Sequence, residues 1–524
     1  MNLTGIDLAV LAAYAVGIFA LAQWVSREKR GRQKDAADYF LASKSLPWWA
    51  IGASLIAANI SAEQIIGMSG SGYVIGLAIA SYEWMAALTL LIVGKYFLPI
   101  FLKNRISTMP QFLEQRYGPT IRTVMAGFWL VLYVAVNITS ILWLGSLAIT
   151  ALTGLDQTWA LIGLALFGLG YQIWGGLKAV AMTDAVQVTL LVFGGLVIAY
   201  LTLGEIGGDA GVLGGFVRLT TEFPEKFDMI LSPDNPHYAA LPGIAVLVGG
   251  MWIMNLSYWG FNQYIIQRAL AAPSIAEAQK GVAFAAYLKL LMPLIVVLPG
   301  LAAVVLAPDL SRPDAAYPAM MSLLPVGLKG LVFAALVAAI ISTLGSLVNS
   351  ISTIFTLDIY AKARKQAPQT ELVRVGRIAA AIAMLIGAAL AQPLLGNFDQ
   401  AFQFIQDFTG FFTPAIVVIF LLGMFWKGAS EAGALAAAIG GVGLSGLLWR
   451  LNDTGAFTMP FMNRVGLVFL AALALAIVVS LIWRPKPETL KVTLEGVDYR
   501  TSLGFNLAGV GVIAFLATVY TLWW

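Results

Sequence analysis

The run VGLVFLAALALAIVVSLIW, residues 465–483, carries no charge over nineteen positions. A helix needs about 20 mostly apolar residues to cross the hydrocarbon core of a bilayer. In that medium every backbone N–H and C=O must be satisfied within the chain, which leaves only helices and closed barrels. Barrel strands would read as short alternating segments of about 10 residues. This run, and LLIVGKYFLPIFL at 90–102, do not alternate. The sequence therefore describes an all-α polytopic membrane protein. Composition agrees: 11% of the 524 residues are charged, against about 25% in soluble domains, too few to clothe a water-exposed surface.

Hydropathy predicts 14 transmembrane helices, near 5–26, 48–72, 77–103, 119–153, 158–176, 181–204, 241–268, 277–308, 320–360, 371–396, 400–426, 431–450, 461–484 and 502–523. Several exceed the length of one crossing, so tilt or breaks are expected. The first run lacks a basic start and a small-residue cleavage site, so no signal peptide is expected. Basic residues test the count. Arg27, Lys29, Arg30, Arg32 and Lys34 fall in the first connection, and Lys103, Arg105, Arg116 and Arg122 in the third. Later connections of the same parity hold Arg268 and Lys280, then Lys362, Arg364, Lys365, Arg374 and Arg377, then Lys427, then Arg484, Lys486, Lys491 and Arg500. The positive-inside rule then puts these connections in the cytoplasm and both termini outside a plasma (inner) membrane.

Some chemistry is excluded early. There is no cysteine, and the single histidine, His237, falls in the acidic outer connection 205–240. Thiolate catalysis, disulfides and histidine–cysteine metal clusters are therefore ruled out. The net charge is only +4, and no nucleic-acid partner is expected.

Ionisable groups inside spans are costly and mark function by default. The stretch AANISAEQIIGMSGSGY (57–73) puts Glu63, two amides and three glycines at membrane depth, and Glu83 follows in SYEWM. Asp184, the string NLSYWGFNQY (255–264) and Lys289 are the other such places. ISTLGSLVNS (341–350) and AFQFIQDFTGFFTP (401–414) add hydroxyls and amides. Each has a plain structural reading. Ser69, Ser71, Ser346 and the glycines would serve as close-packing residues, Asp184 as an interfacial acid, Glu83 and Lys289 as an ion pair, and Tyr258 and Trp259 as interface aromatics. Residues 57–73 and 250–264 nevertheless share a form. Both interrupt an apolar run with Gly, Asn and Ser, and each opens a block of five spans that starts on the opposite side of the membrane from the other. That pattern points to an inverted repeat with discontinuous helices around a central site.

The strings SLIAANISAEQIIGMSGSGY, ASYEWM, YWGFNQYIIQR, EAQKGVAFAAYLKL and FQFIQDFTG resemble the sodium/solute symporter family, in its bacterial sodium/galactose branch, the prokaryotic relatives of the sodium/glucose transporters. The resemblance implies a LeuT-like five-plus-five inverted repeat. Residues 1–47 would hold an extra helix and a cytoplasmic loop, 48–204 the first repeat, 205–240 an outer loop, 241–427 the second repeat, and 428–524 three additional helices. It implies a sugar site at Gln64, Glu83, Asn255, Lys289 and Gln406, with Tyr82, Asn59 and Trp259 nearby. It implies gates at Met68, Tyr258 and Phe402, and a Na+ site at the carbonyls of Ala57, Ile60 and Ala339 and the hydroxyls of Ser342 and Thr343. Asp184 would lie along the ion's exit path. The chain departs from the family at Ala86, where the galactose site has a serine. It departs again at Gly345, where members with a second sodium site have a hydroxyl. Asp184 and Ser346 remain, and one Na+ per solute is expected.

The residues fit that chemistry. Gln64, Gln406 and Asn255 donate and accept hydrogen bonds, Glu83 only accepts and Lys289 only donates. The two charges cancel, which suits a neutral sugar. Carbonyls and hydroxyls are hard ligands for a small cation, and none of the five titrates near neutrality, so the expected coupling ion is Na+ and not H+. Inositol, an amino acid or a carboxylate is the alternative solute. An intramembrane enzyme would need a nucleophile–base pair or a metal cluster, and Glu63, Glu83 and Asp184 lie on different segments; no enzyme is expected. A passive channel would lack broken-helix repeats and gates. The sequence leaves the role of Glu63 open.

Overall fold

A computed structural model describes residues 3–26, 44–396, 401–485 and 491–524. The basic cluster Arg27–Lys34 and Lys486 lie outside the described residues.

Seventeen helices carry the description: α1 (Gly5–Ser26), α2 (Trp48–Asn59), α3 (Glu63–Val74), α4 (Leu77–Lys103), α5 (Pro119–Thr153), α6 (Gln157–Gly207), α7 (Ile244–Val248), α8 (Gly250–Leu256, extended by a π-turn to Phe261), α9 (Gln263–Leu270), α10 (Ile275–Leu306), α11 (Leu328–Ala363), α12 (Gln369–Leu395), α13 (Ala401–Thr409), α14 (Thr413–Phe425), α15 (Glu431–Asp453), α16 (Phe461–Ile482) and α17 (Leu503–Leu522). There is no strand among the described residues.

Ten helices among the described residues are long and apolar enough to span a membrane, and the bent pair α2–α3 makes an eleventh. The length criterion therefore does not return 14, for three local reasons. The predicted helices at 158–176 and 181–204 run together as α6. The apolar part of α1 is short. The predicted span 241–268 is divided into α7, α8 and α9, none long enough alone.

The two breaks come from the two polar strings. After Asn59 the chain leaves helical geometry at Ile60 (φ −71°, ψ 92°), and α3 departs from α2 at 63°. The donor that would continue the helix, the Ser61 N–H, goes to Gln64 Oε1 instead (3.3 Å). In the second string Asn262 is extended (φ −83°, ψ 120°) between α8 and α9. Such backbone survives at membrane depth only when enclosed by protein, and α6, α10 and α11 supply that enclosure around α2 and α3. The glycine–serine tail of the first string is a packing surface. A Cβ at Gly300 of α10 would lie 2.1 Å from the Ser69 carbonyl, and one at Gly70 would lie 2.7 Å from Asp314 Oδ1. Small residues permit this close approach.

Two contacts far apart in sequence hold the end of the bundle where α14 finishes. Arg116 is buried, and its guanidinium donates to the carbonyls of Gly423 (2.8 Å), Trp426 (2.8 Å) and Ala429 (3.2 Å). These are carbonyls at the end of α14 that no further helical turn satisfies. Arg116→Met should lower stability by about 3 kcal/mol or more, since several charged hydrogen bonds are lost together. A fall in the melting temperature of detergent-purified protein checks this, and an unchanged melting curve contradicts it. The segment after α16 lies against the same end. Lys491 N bonds Gln115 O (2.9 Å), Thr493 pairs with the Asn104 amide (2.7 and 3.1 Å), and Lys103 reaches the Glu495 carbonyl. At the opposite end of α17, Trp523 O accepts from Met229 N (2.8 Å).

Candidate functional site

Each predicted sugar-site segment presents one helical face to a common space. Asn59 ends α2. Gln64 and Met68 lie one turn apart on α3. Tyr82, Glu83 and Ala86 come from α4. Asn255, Tyr258 and Trp259 come from α8 and its π-turn, Lys289 from α10, and Phe402 and Gln406 from α13. All of them line one cavity, together with Met254 and Thr409. Sequence reasoning missed those last two. Their signal was helical spacing: Met254 lies four residues before Tyr258, and Thr409 three after Gln406.

The charges in this cavity are organised around Lys289. Its ammonium group is fully buried and bonds both Glu83 and the Asn59 side-chain oxygen. It also sits 5.0 Å from the centre of the Trp259 ring. Asn59 turns its other group to the Tyr258 hydroxyl (3.1 Å), which is held in turn by Tyr264 (2.8 Å). Tyr258 is thereby linked to the ion pair through Asn59. Tyr82 and Phe402 meet edge to face at 5.3 Å, and Met68 and Phe402 are buried, so one wall is apolar. Asn255 donates to its own helix at Met251 O (3.1 Å), which leaves its side-chain oxygen for a ligand. Ala86 lines the wall, so the hydroxyl that a serine would bring is missing from the cavity itself.

Glu63 and Gln64 separate clearly. Gln64 faces the cavity, with its oxygen bonded by the Ser61 hydroxyl (3.0 Å). Glu63 is buried away from it and bonds the Ser140 hydroxyl of α5.

Three of the five predicted Na+ ligands, Ala57, Ala339 and Thr343, meet where the break in α2–α3 adjoins α11. Ala57 has lost its usual helical donor to the Gln64 side chain, and its carbonyl faces the Thr343 hydroxyl at 3.3 Å. The same hydroxyl reaches Ala339 O at 3.1 Å. Ala57, Ala339 and Thr343 thus form one oxygen cluster. A small cation between them would receive two carbonyl dipoles and a hydroxyl lone pair, so the donor set fits Na+. Ser342 turns instead to Asp184, to which its hydroxyl bonds. Ile60 stands in the break, and no hydrogen bond among the described residues ties it to α11. Asp184 is fully buried between the Ser54 and Ser342 hydroxyls. No cluster of three or more acid or histidine side chains suited to a metal occurs among the described residues.

A helical membrane protein with two broken helices, a charge-balanced polar cavity and a neighbouring oxygen cluster has the architecture of a secondary transporter. The model of the Sodium:solute symporter family matches residues 39–441, and the chain belongs to that family. It is 48% identical over its full length to a sodium/glucose cotransporter of Vibrio parahaemolyticus, covering 99% of that protein. It is 34% identical over 85% of its length to sodium/myo-inositol cotransporter 2 of Mus musculus, covering 70% of it. The fold is LeuT-like, as expected. The structure of a Na+-coupled sialic acid symporter in a substrate-bound outward-open state superimposes with a TM-score of 0.78 at 22% identity, over 92% of this chain and 99% of that one. A nucleobase-cation-symport-1 transporter superimposes with a TM-score of 0.55 at 13% identity, over 92% and 99%.

Proposed function

We propose that this chain is a Na+-coupled symporter that carries a neutral sugar of the galactose or glucose type into the cell by alternating access, one Na+ per sugar. The observation that carries the reading is the cavity in which Lys289 and Glu83 neutralise each other beside Asn59, Gln64, Asn255 and Gln406. A charged solute would prefer an unbalanced site. A sugar has hydroxyls for these groups and a nearly apolar ring face that Tyr258 covers. Met68, Tyr258 and Phe402 act as gates of the cavity. The sodium/glucose relative at 48% identity supports this solute class over inositol, whose named relative is at 34%.

The ion is read as bound by Ala57, Ile60, Ala339, Ser342 and Thr343. It bridges the broken helix α2–α3 to α11 and so favours the arrangement with the sugar cavity formed. Ion and sugar must stabilise the same state, and each must raise the other's affinity equally. The layout follows the repeats: 1–47, 48–204, 205–240, 241–427 and 428–524, with both termini outside and the basic connections in the cytoplasm.

Proteoliposomes test the reading. A sodium gradient should drive labelled galactose or glucose inward, and replacing sodium with choline should remove that uptake. Uptake undiminished in choline would overturn the coupling. A panel of galactose, glucose, inositol and neutral amino acids as competitors identifies the solute, and inositol outcompeting both hexoses would overturn the sugar assignment.

A further inference from the structure

Arg268 is a buried guanidinium that neither the sugar cavity nor the oxygen cluster uses, and among the described residues it is one of the largest fully buried side chains. It projects from α9, the far half of the second broken helix. Its Nε donates to the Ser54 hydroxyl on α2, the near half of the first broken helix, at 2.7 Å. Its terminal nitrogens donate to Ser346 of α11 and to the Tyr264 carbonyl, and one lies 3.8 Å from Asp184 of α6. Four helices therefore meet at one side chain.

The donor order around it is self-consistent. A hydroxyl has one proton to give. Ser54 accepts from Arg268 and gives its proton to Asp184, and Ser346 accepts from Arg268 and gives its proton to Ser342 O (2.9 Å). Asp184 is bonded on both oxygens, by Ser54 and Ser342. A buried network in which every guanidinium nitrogen and both carboxylate oxygens have a partner favours one arrangement.

A second observation concerns what lies beyond it. Along α11 the knot begins at Ser342 and includes Ser346 one turn later. Asn349, on the same face as Ser342 two turns on, is buried with neither amide atom hydrogen-bonded. Ser350 Oγ and, on α9 beside Arg268, Gln267 Oε1 are buried and equally without partners. Unpaired buried polar groups are rare and call for a reason. Here they continue from the knot toward the basic end of α11 at Lys362 and Arg364. A scaffold ion pair would not need to tie together halves of two broken helices, and would not have orphaned amides along one side.

We infer that Arg268 is the latch of the inner exit path: its bonds to Ser54, Ser346 and Asp184 close the route from the oxygen cluster to the cytoplasm, and the route beyond it, past Asn349 and Gln267, fills with water when they release. Arg268 is a positioning residue, since it acts on Asp184 and the half-helices and not on the sugar. The inference rests on the alternating-access reading. Lysine cannot replace it fully, because an ammonium lacks the planar fork that reaches three acceptors from one position.

The absence of cysteine makes the test clean. Asn349→Cys is introduced alone and with Arg268→Gln, Arg268→Lys, or the partner pair Ser54→Ala and Ser346→Ala. Inside-out vesicles in sodium are then treated with a membrane-impermeant maleimide. With Arg268 present, labelling should be slow. Arg268→Gln should accelerate it by about tenfold or more, the factor that loss of a charged hydrogen bond corresponds to. Arg268→Lys should fall between. The serine pair, which leaves the arginine in place, should also accelerate it, and this covers the case in which Arg268→Gln fails to fold. Equal labelling rates in folded latch variants and the parent would overturn the inference. So would acceleration that is the same at a control cysteine on the lipid-facing side of α12, because general loosening would produce that. Labelling needs no transport, so a failure here is distinguishable from failure of the sugar-symport reading, which uptake alone decides.

Discussion

Lys289→Ala should reduce sodium-driven sugar uptake to below about 1% of the parent, while the protein still inserts and elutes as a folded species. Two effects combine. Each charged hydrogen bond between a buried ammonium and a sugar hydroxyl is worth roughly 1.5–3 kcal/mol, or one to two decades of affinity. Removing the lysine also strands Glu83 without its counter-charge, and breaking a buried pair by deleting one partner costs about 3–5 kcal/mol. Asn59 loses a partner as well, which weakens the bridge it makes from the ion pair to Tyr258. Glu83→Ala should act in the same direction for the mirrored reason. Initial uptake rates of labelled galactose in proteoliposomes, with a melting curve for each variant, measure this. Uptake within threefold of the parent would remove the ion pair from the sugar site.

The second large effect concerns the ion. Thr343→Ala should raise the sodium concentration for half-maximal uptake by about ten- to hundredfold, one or two strong ligand contacts' worth. Thr343→Ser, which keeps the hydroxyl, should stay near the parent. Thr343 is singled out because its oxygen alone touches both Ala57 O and Ala339 O, while Ser342 is engaged by Asp184. Linkage adds a second signature. At a fixed sub-saturating sodium concentration the Thr343→Ala variant should show a weaker apparent sugar affinity, and saturating sodium should restore it. A sodium curve identical to the parent's would take Thr343 out of the ion site.

Much of the architecture was legible because a bilayer permits few structures. Apolar runs gave the helices, and the positions of Asn, Ser and Gly gave both breaks. The predicted sugar-site residues came from the resemblance to the family's motifs, and every one of them lines the same cavity. What was not legible depends on distance in space. Helix count failed where α6 runs through a predicted connection and where α7–α9 fragment one predicted span. Met254 and Thr409 bear no polar signature strong enough to stand out beside Tyr258 and Gln406. Glu63 and Gln64 are adjacent, and only packing against α5 separates their roles. Arg268 looked like one more basic residue marking the cytoplasmic side, because periodicity carries no information about which helix a guanidinium will meet.

The segment after α16 and the end of α17 touch parts of the chain made much earlier. Thr493 pairs with Asn104 across 389 positions, and Trp523 holds Met229 on the other side. A ribosome delivers these clasps only after the transporter core has already entered the membrane. The core must therefore persist for a time with its Asn104 amide and the Met229 amide uncapped, and its final shape is sealed by the segment that emerges after it.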